Sequence, residues 1–101
     1  MKNDYFSDQV LKKLIDYDYK TNLVKNHESK KLEFKESFNY SSKKEYFKLM
    51  AAFSNANGGY IIFGIKDKPR ELTGLSTKSC EDFNNMRIED FTVELNSYFS
   101  P

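Results

Sequence analysis

Three carboxylates could act together in this sequence. Glu28 and Glu33 stand five residues apart at a strand entrance, the first before and the second within the segment KLEFKE, and Asp67 closes FSNANGGYIIFGIKD. Carboxylates clustered without His or Cys suit a hard cation such as Mg²⁺ or Mn²⁺. Such an ion can polarise a phosphodiester and activate water. Convergence requires the strand after Glu28 and the strand before Asp67 to be neighbours. By spacing alone, with 15 acids in the chain, surface solvation is the favoured alternative. Other chemistries have less support. Gly58-Gly59 fits neither GxxxxGK[ST] nor GxGxxG. His27 is the sole histidine and Cys80 lies far along the chain, so no zinc spacing exists. No serine sits in a glycine-flanked elbow.

Lysines form the second constellation. Lys30, Lys31, Lys35, Lys43, Lys44 and Lys48 interleave with Phe38, Tyr40 and Tyr46 around the expected start of a long helix. A helix N-terminus offers free N–H groups and a positive dipole end to phosphate, and neighbouring lysines add to that attraction. The plainer alternative is solubility for the lysines and core packing for the rings. Phe47, Met50 and Phe53 belong to the core by their spacing.

The elements that must position these residues follow from periodicity. Ser7 or Asp8 caps a short amphipathic helix over about 8–17, with Val10, Leu11 and Leu14 on one face. The stretch after it reads as loop, with an extended piece near Leu23–Val24. In 31–36, Leu32 and Phe34 alternate with Glu33 and Lys35, the period of a half-buried strand. Ser41 or Ser42 then caps the long helix, with Glu45 at capping-box spacing from Ser42. Tyr46, Met50 and Phe53 hold its helical period, and Asn57-Gly58-Gly59 ends it. Tyr60-Ile61-Ile62-Phe63 is apolar at both parities, as in a strand covered on both faces. A turn at Lys66–Pro69 leads to a short returning strand in ELTGL. A last helix runs over roughly 88–99, with a turn before it. The expected fold class is therefore α/β (α+β).

The totals bound the rest. With 101 residues there is room for one domain. Such a chain buries about 65% of its unfolded surface, and nine Phe and seven Tyr help to fill the core. Mean hydropathy is -0.74 and no stretch approaches a membrane span. The first residues lack the apolar centre of a signal peptide. A lone cysteine fits a reducing compartment, so a cytoplasmic location and no membrane partner are expected. Net charge is +1, but unevenly spread. Residues 20–48 carry eight lysines against four glutamates, a net +4, and residues 81–95 one arginine against five acids, a net −4. A basic region and an acidic region are expected.

The pattern ExxxxLEFKES, then AFSNANGGYIIFGIKD, then ELTGL resembles the Schlafen AlbA_2 domain family across residues 28–75. The resemblance implies a single small domain over residues 1–101, with an Alba-like mixed sheet and helices packed on it. It implies binding of nucleic acid, DNA or RNA, as the N-terminal module of a longer, transcriptional-regulator-like protein. In family members of bacterial type such a module often precedes an ATPase-like or winged-helix region. Some animal Schlafen proteins use the domain as a metal-dependent endoribonuclease on transfer RNA. Glu28, Glu33 and Asp67 match their three acids, and Mg²⁺ or Mn²⁺ would then be required; the binding reading needs no cofactor. Those nucleases build their groove from two lobes, which a homodimer of this chain would supply. A dimerisation or interaction module is the third reading, with an unpaired sheet edge recruiting a second copy.

Overall fold

The computed structural model describes residues 7–99. Helix α1 (Asp8–Leu14) begins where Ser7 Oγ accepts the Val10 N–H at 3.3 Å. It ends three residues short of the sequence expectation, because the chain beyond it turns back on itself. Asp18 Oδ1 accepts the Lys20 and Thr21 N–H groups, and Asn22 takes a left-handed φ of 62°. Tyr17 can then bridge to Val24, and Leu23 to Glu71, which realises the extended piece expected near Leu23–Val24. Asn26 Nδ2 donates to Lys13 O and Leu14 O, both at 3.3 Å, satisfying carbonyls at the helix end.

Strand β1 (Leu32–Lys35) buries Leu32 and Phe34 and leaves Glu33 and Lys35 half-exposed, as its alternation predicts. Strand β2 (Tyr60–Phe63) lies beside it in parallel, with Leu32 opposite Tyr60 and Lys35 opposite Phe63. A parallel pair needs a crossover, and α2 (Lys43–Asn55) supplies it. The helix starts differently from the expected capping box. A 3₁₀ turn at Tyr40–Ser42 leads into it, and Ser42 makes no side-chain cap. Glu45 binds Lys35 on β1 instead, at 2.9 Å. Asn57 (φ 65°) and Gly58 (φ 106°) stop α2, and the Gly58 N–H closes onto Phe53 O at 2.6 Å. Gly59 is required by contact: a Cβ there would meet the Phe53 ring at 2.5 Å and Lys31 O at 2.9 Å.

After Gly64 the chain forms an antiparallel ladder of β3 (Ile65–Lys66) and β4 (Glu71–Leu72). Gly64 O accepts the Thr73 and Gly74 N–H groups, each at 2.9 Å, tying ELTGL to the end of β2. The strands thus form two two-stranded ladders, one parallel and one antiparallel, where one mixed sheet was expected. Helices α3 (Thr77–Asn85) and α4 (Ile88–Phe99) follow. Sequence periodicity found α4 and read α3 as a turn.

The mixed parity of β2 has a structural reason. Tyr60 and Ile62 pack against a cluster of Val24, Leu32, Phe34 and Ile65. Phe63, of the opposite parity, meets Phe38 and Tyr46 at ring distances of 5.2 and 5.1 Å. Phe83 of α3 extends this aromatic layer by its edge-on contact with Phe38, and Phe91 of α4 meets Phe47 of α2. Burial of β2 is partial, since all four residues are half-exposed rather than fully covered. The result is an α+β domain whose parallel pair sits between two apolar clusters. No helix among the described residues is long and apolar enough to cross a membrane.

Candidate functional site

A cavity of about 240 Å³ opens at the outer side of β1 and the β3–β4 turn, and Glu28, Glu33 and Asp67 all line it. The three acids singled out from the sequence thus share one cavity lining. Glu36, Lys35, Lys66 and Arg70 line the cavity as well.

Glu28 is held by the backbone of β1. In the parallel ladder, Lys31 O and Lys35 O accept from Tyr60 and Gly64 at 2.8 and 2.7 Å, so the odd-numbered residues face β2. The Phe34 N–H points to the opposite edge, where Glu28 Oε2 accepts it at 2.9 Å. Ser29 and Leu32 exchange backbone bonds just before it. Residues 28–32 thus fold back along the open side of β1 and satisfy it.

Glu33 has its carboxyl pKa raised. Burial is the main cause, followed by the hydrogen bond to the Glu28 carboxyl and the repulsion between the two charges. Lys35 opposes this from 3.7 Å without reversing it. The Glu33 carboxyl therefore holds a proton more readily than an isolated glutamate does. Lys35 itself is pushed up, chiefly by its bond to Glu45. Asp67 lies exposed in the turn after β3. Among the described residues no three His, Cys, Asp or Glu side chains approach closely enough to hold one ion. Glu28 and Glu33 are the adjacent pair, and Asp67 shares their cavity without completing a site.

The six lysines divide into two groups. Lys35 is bound to Glu45 and Glu33. Lys43 donates to Glu94 Oε2 at 2.9 Å and sits 4.1 Å over the Tyr40 ring. Tyr40 Oη also donates to Glu94, at 2.9 Å, and the Glu94 carboxyl is lowered by Lys43 first and Tyr40 second. Lys30, Lys31, Lys44 and Lys48 are exposed and make no ion pair among the described residues. The start of α2 is less open to phosphate than expected. Tyr40 N–H is taken by Asp82 Oδ2, Ser42 N–H by Asn39 O, and the Lys43 N–H by Tyr40 O.

Arg70 and His27 escaped the sequence reading. Arg70 Nη2 lies 3.5 Å from His27 Nε2, and Arg70 Nε is buried with no partner. Nothing local marks Arg70; it reaches the cavity only because β4 folds back on β3. Asp82, Glu94 and Ser79 escaped too, since their partners lie more than forty residues away.

Comparison with known proteins agrees with this architecture. The family model described as Schlafen, AlbA_2 matches residues 28–101. An uncharacterized ATP-binding protein of Ureaplasma parvum serovar 3 is 49% identical over 78 residues, which cover 77% of this chain and 21% of that protein. This chain thus spans about a fifth of that relative's length. No solved structure matches. The matched residues begin at Glu28, and they contain the β1–α2–β2 crossover, the cavity acids and the ELTGL turn. This chain belongs to the Schlafen AlbA_2 family.

Proposed function

We propose that the domain binds the phosphate backbone of nucleic acid, as a module of a longer regulator-like protein. The observation that carries this reading is the set of exposed, unpaired lysines on the β1–α2 unit: Lys30 and Lys31 before β1, Lys44 and Lys48 one helical turn apart on α2. Four free cations next to a family-specific crossover are suited to a polyanion, and each phosphate contact releases counterions. Lys35 and Lys43, already neutralised within the fold, contribute little. Binding of a 20-nucleotide oligonucleotide should weaken steeply between 50 and 200 mM KCl, with a log–log slope of about −3 for four contacts. Gln at any one of the four lysines should flatten the slope by about 1, whereas Lys43→Gln should leave it unchanged. An affinity indifferent to salt would refute the reading. The relative's name attributes ATP binding to that protein; this chain carries neither phosphate-loop pattern, and we do not assign ATP to it.

A second reading, a metal-dependent endoribonuclease, is favoured by one observation: Glu28 and Glu33 are adjacent and Asp67 lines the same cavity. Mg²⁺ or Mn²⁺ would have Glu28 and Glu33 as its first ligands and would supply a polarised phosphate and an activated water. As the side chains stand, they do not close a three-carboxylate site. Incubation with transfer RNA and Mn²⁺ decides between the readings. Cleavage abolished in Glu33→Ala supports the nuclease, and intact transfer RNA at micromolar enzyme rejects it.

A further inference from the structure

The guanidinium of Arg70 is the most poorly satisfied charge in the described structure. Its Nε donor is shut away from water with no acceptor, and its only hydrogen-bond partner is His27 Nε2 at a long 3.5 Å. A buried donor left without an acceptor is costly, more so when the group is charged. Carboxylates are nearby, for Glu28, Glu33, Glu36 and Asp67 line the same cavity, yet among the described residues none of them pairs with Arg70. Its backbone, by contrast, is well anchored. Arg70 O accepts the N–H of buried Val24 at 2.9 Å, and Glu71 beside it pairs with Lys66 and bridges to Leu23. An arginine on an anchored backbone, with its Nε unused and its place at the rim of a cavity, is suited to receive an acceptor from outside the chain.

The geometry points to Arg70 as a phosphate-binding residue of this cavity, gripping a phosphodiester oxygen pair through Nε and one Nη. Binding through a guanidinium turned toward the cavity would recover the hydrogen bond that Nε forgoes in the free protein. Planar, two-pronged donation to phosphate is what distinguishes arginine from lysine. Lys66, exposed and without an ion pair among the described residues, adds charge from the opposite strand of the β3–β4 ladder. The bound phosphate would sit beside the Glu28–Glu33 pair, where any in-line chemistry on that backbone would take place. This inference rests on the nucleic-acid reading for the identity of the ligand, though not for the existence of an anion seat.

Two measurements separate the two claims. In the first, the Arg70 Nε–H signal in a proton–nitrogen spectrum is followed while inorganic phosphate, then a 20-nucleotide single strand in RNA and DNA forms, is added. A saturable downfield shift supports the seat, and a signal that stays in place with both ligands overturns it. In the second, oligonucleotide affinity is compared for the unaltered domain, Arg70→Gln and Arg70→Lys. Arg70→Gln should bind about 5–10-fold more weakly on every sequence, with the salt slope flattened by about 1. Arg70→Lys should restore the slope but only part of the affinity, because the fork is gone. If the oligonucleotide binds and both variants match the unaltered protein, the inference fails while the nucleic-acid reading stands. If phosphate shifts the signal and no oligonucleotide binds, the reverse holds. Should Arg70→Gln not fold, the spectrum and the lysine variant still decide.

Discussion

Glu28 has two commitments that pull in different directions. One carboxylate oxygen satisfies the Phe34 N–H at the open edge of β1, while the group as a whole repels Glu33. Glu28→Ala removes the first and should cost about 1–2 kcal/mol in urea unfolding, the worth of a hydrogen bond to a charged acceptor. Glu28→Gln keeps an acceptor and removes the repulsion, so it should be much closer to neutral. Glu33 gives a prediction of opposite sign. Its folded pKa lies above its unfolded one, so its protonated form favours the fold, and that contribution is lost as pH rises through the folded value. Glu33→Gln should therefore raise the melting temperature at pH 7, modestly, because solvent screens a half-exposed site. Below the ordinary carboxylate range the difference should vanish. A melting series from pH 3 to 8 checks both the sign and the window. A Glu33→Gln variant less stable at pH 7 than the unaltered domain would show that the Lys35 contact outweighs burial.

At the scale of elements, α3 is fastened by its side chains to the segment before α2. Ser79 is buried to 2% exposure, and its Oγ accepts the Phe38 N–H at 3.1 Å; one turn on, Asp82 takes the Tyr40 N–H. Ser79→Ala strands a buried donor and should lower stability by about 1–3 kcal/mol, read from the urea midpoint with an unchanged slope. The α2–β2 junction is equally constrained. Gly59→Ala drives a methyl group into the Phe53 ring and Lys31 O, and overpacking of this kind costs about 1–3 kcal/mol. Gly58→Ala meets nothing within 4 Å and carries only the strain of its φ of 106°, about 1–2 kcal/mol. The Gly59 variant should be the more damaging to nucleic-acid affinity, because that contact also fixes Lys31 at the entrance of β1.

Across the whole molecule, charge is less segregated than the sequence suggested. The basic stretch 20–48 and the acidic stretch 81–95 meet where α2 packs on α4, and Lys43 and Glu94 pair across that contact. Part of the basic charge is neutralised by the fold itself; the remainder lies on Lys20 and Lys25 and on the four lysines of the β1–α2 unit, Lys30, Lys31, Lys44 and Lys48. Changing all four to Gln should abolish detectable oligonucleotide binding at 150 mM salt while moving the melting temperature by no more than about 2 °C, since exposed unpaired lysines hold little of the fold together. Anisotropy and thermal melting on one preparation test both halves of that statement.

Local patterns in the chain already decide much of this protein. The alternation of Leu32 and Phe34 with Glu33 and Lys35 makes a strand in any context with one apolar face. The spacing of Tyr46, Met50 and Phe53, closed by Asn57 and Gly58, makes a helix, and a helix between two strands permits their parallel pairing. These patterns permitted Glu28, Glu33 and Asp67 to meet without favouring it; the family resemblance singled the three out, and the fold lines one cavity with them. Tertiary structure alone decided which charges are free. Lys35, Lys43 and Glu45 find their partners across elements, which removes a capping box and two phosphate ligands from the sequence reading. It also decided that α3 is a helix, because its apolar face is short and its attachment runs through Ser79 and Asp82 to backbone groups some forty residues earlier. And it placed Arg70 at the cavity, because the turn that brings it there is fixed by pairing with Ile65, Lys66 and Val24. Periodicity reports which face a residue occupies; it carries no information on which distant group will be found there.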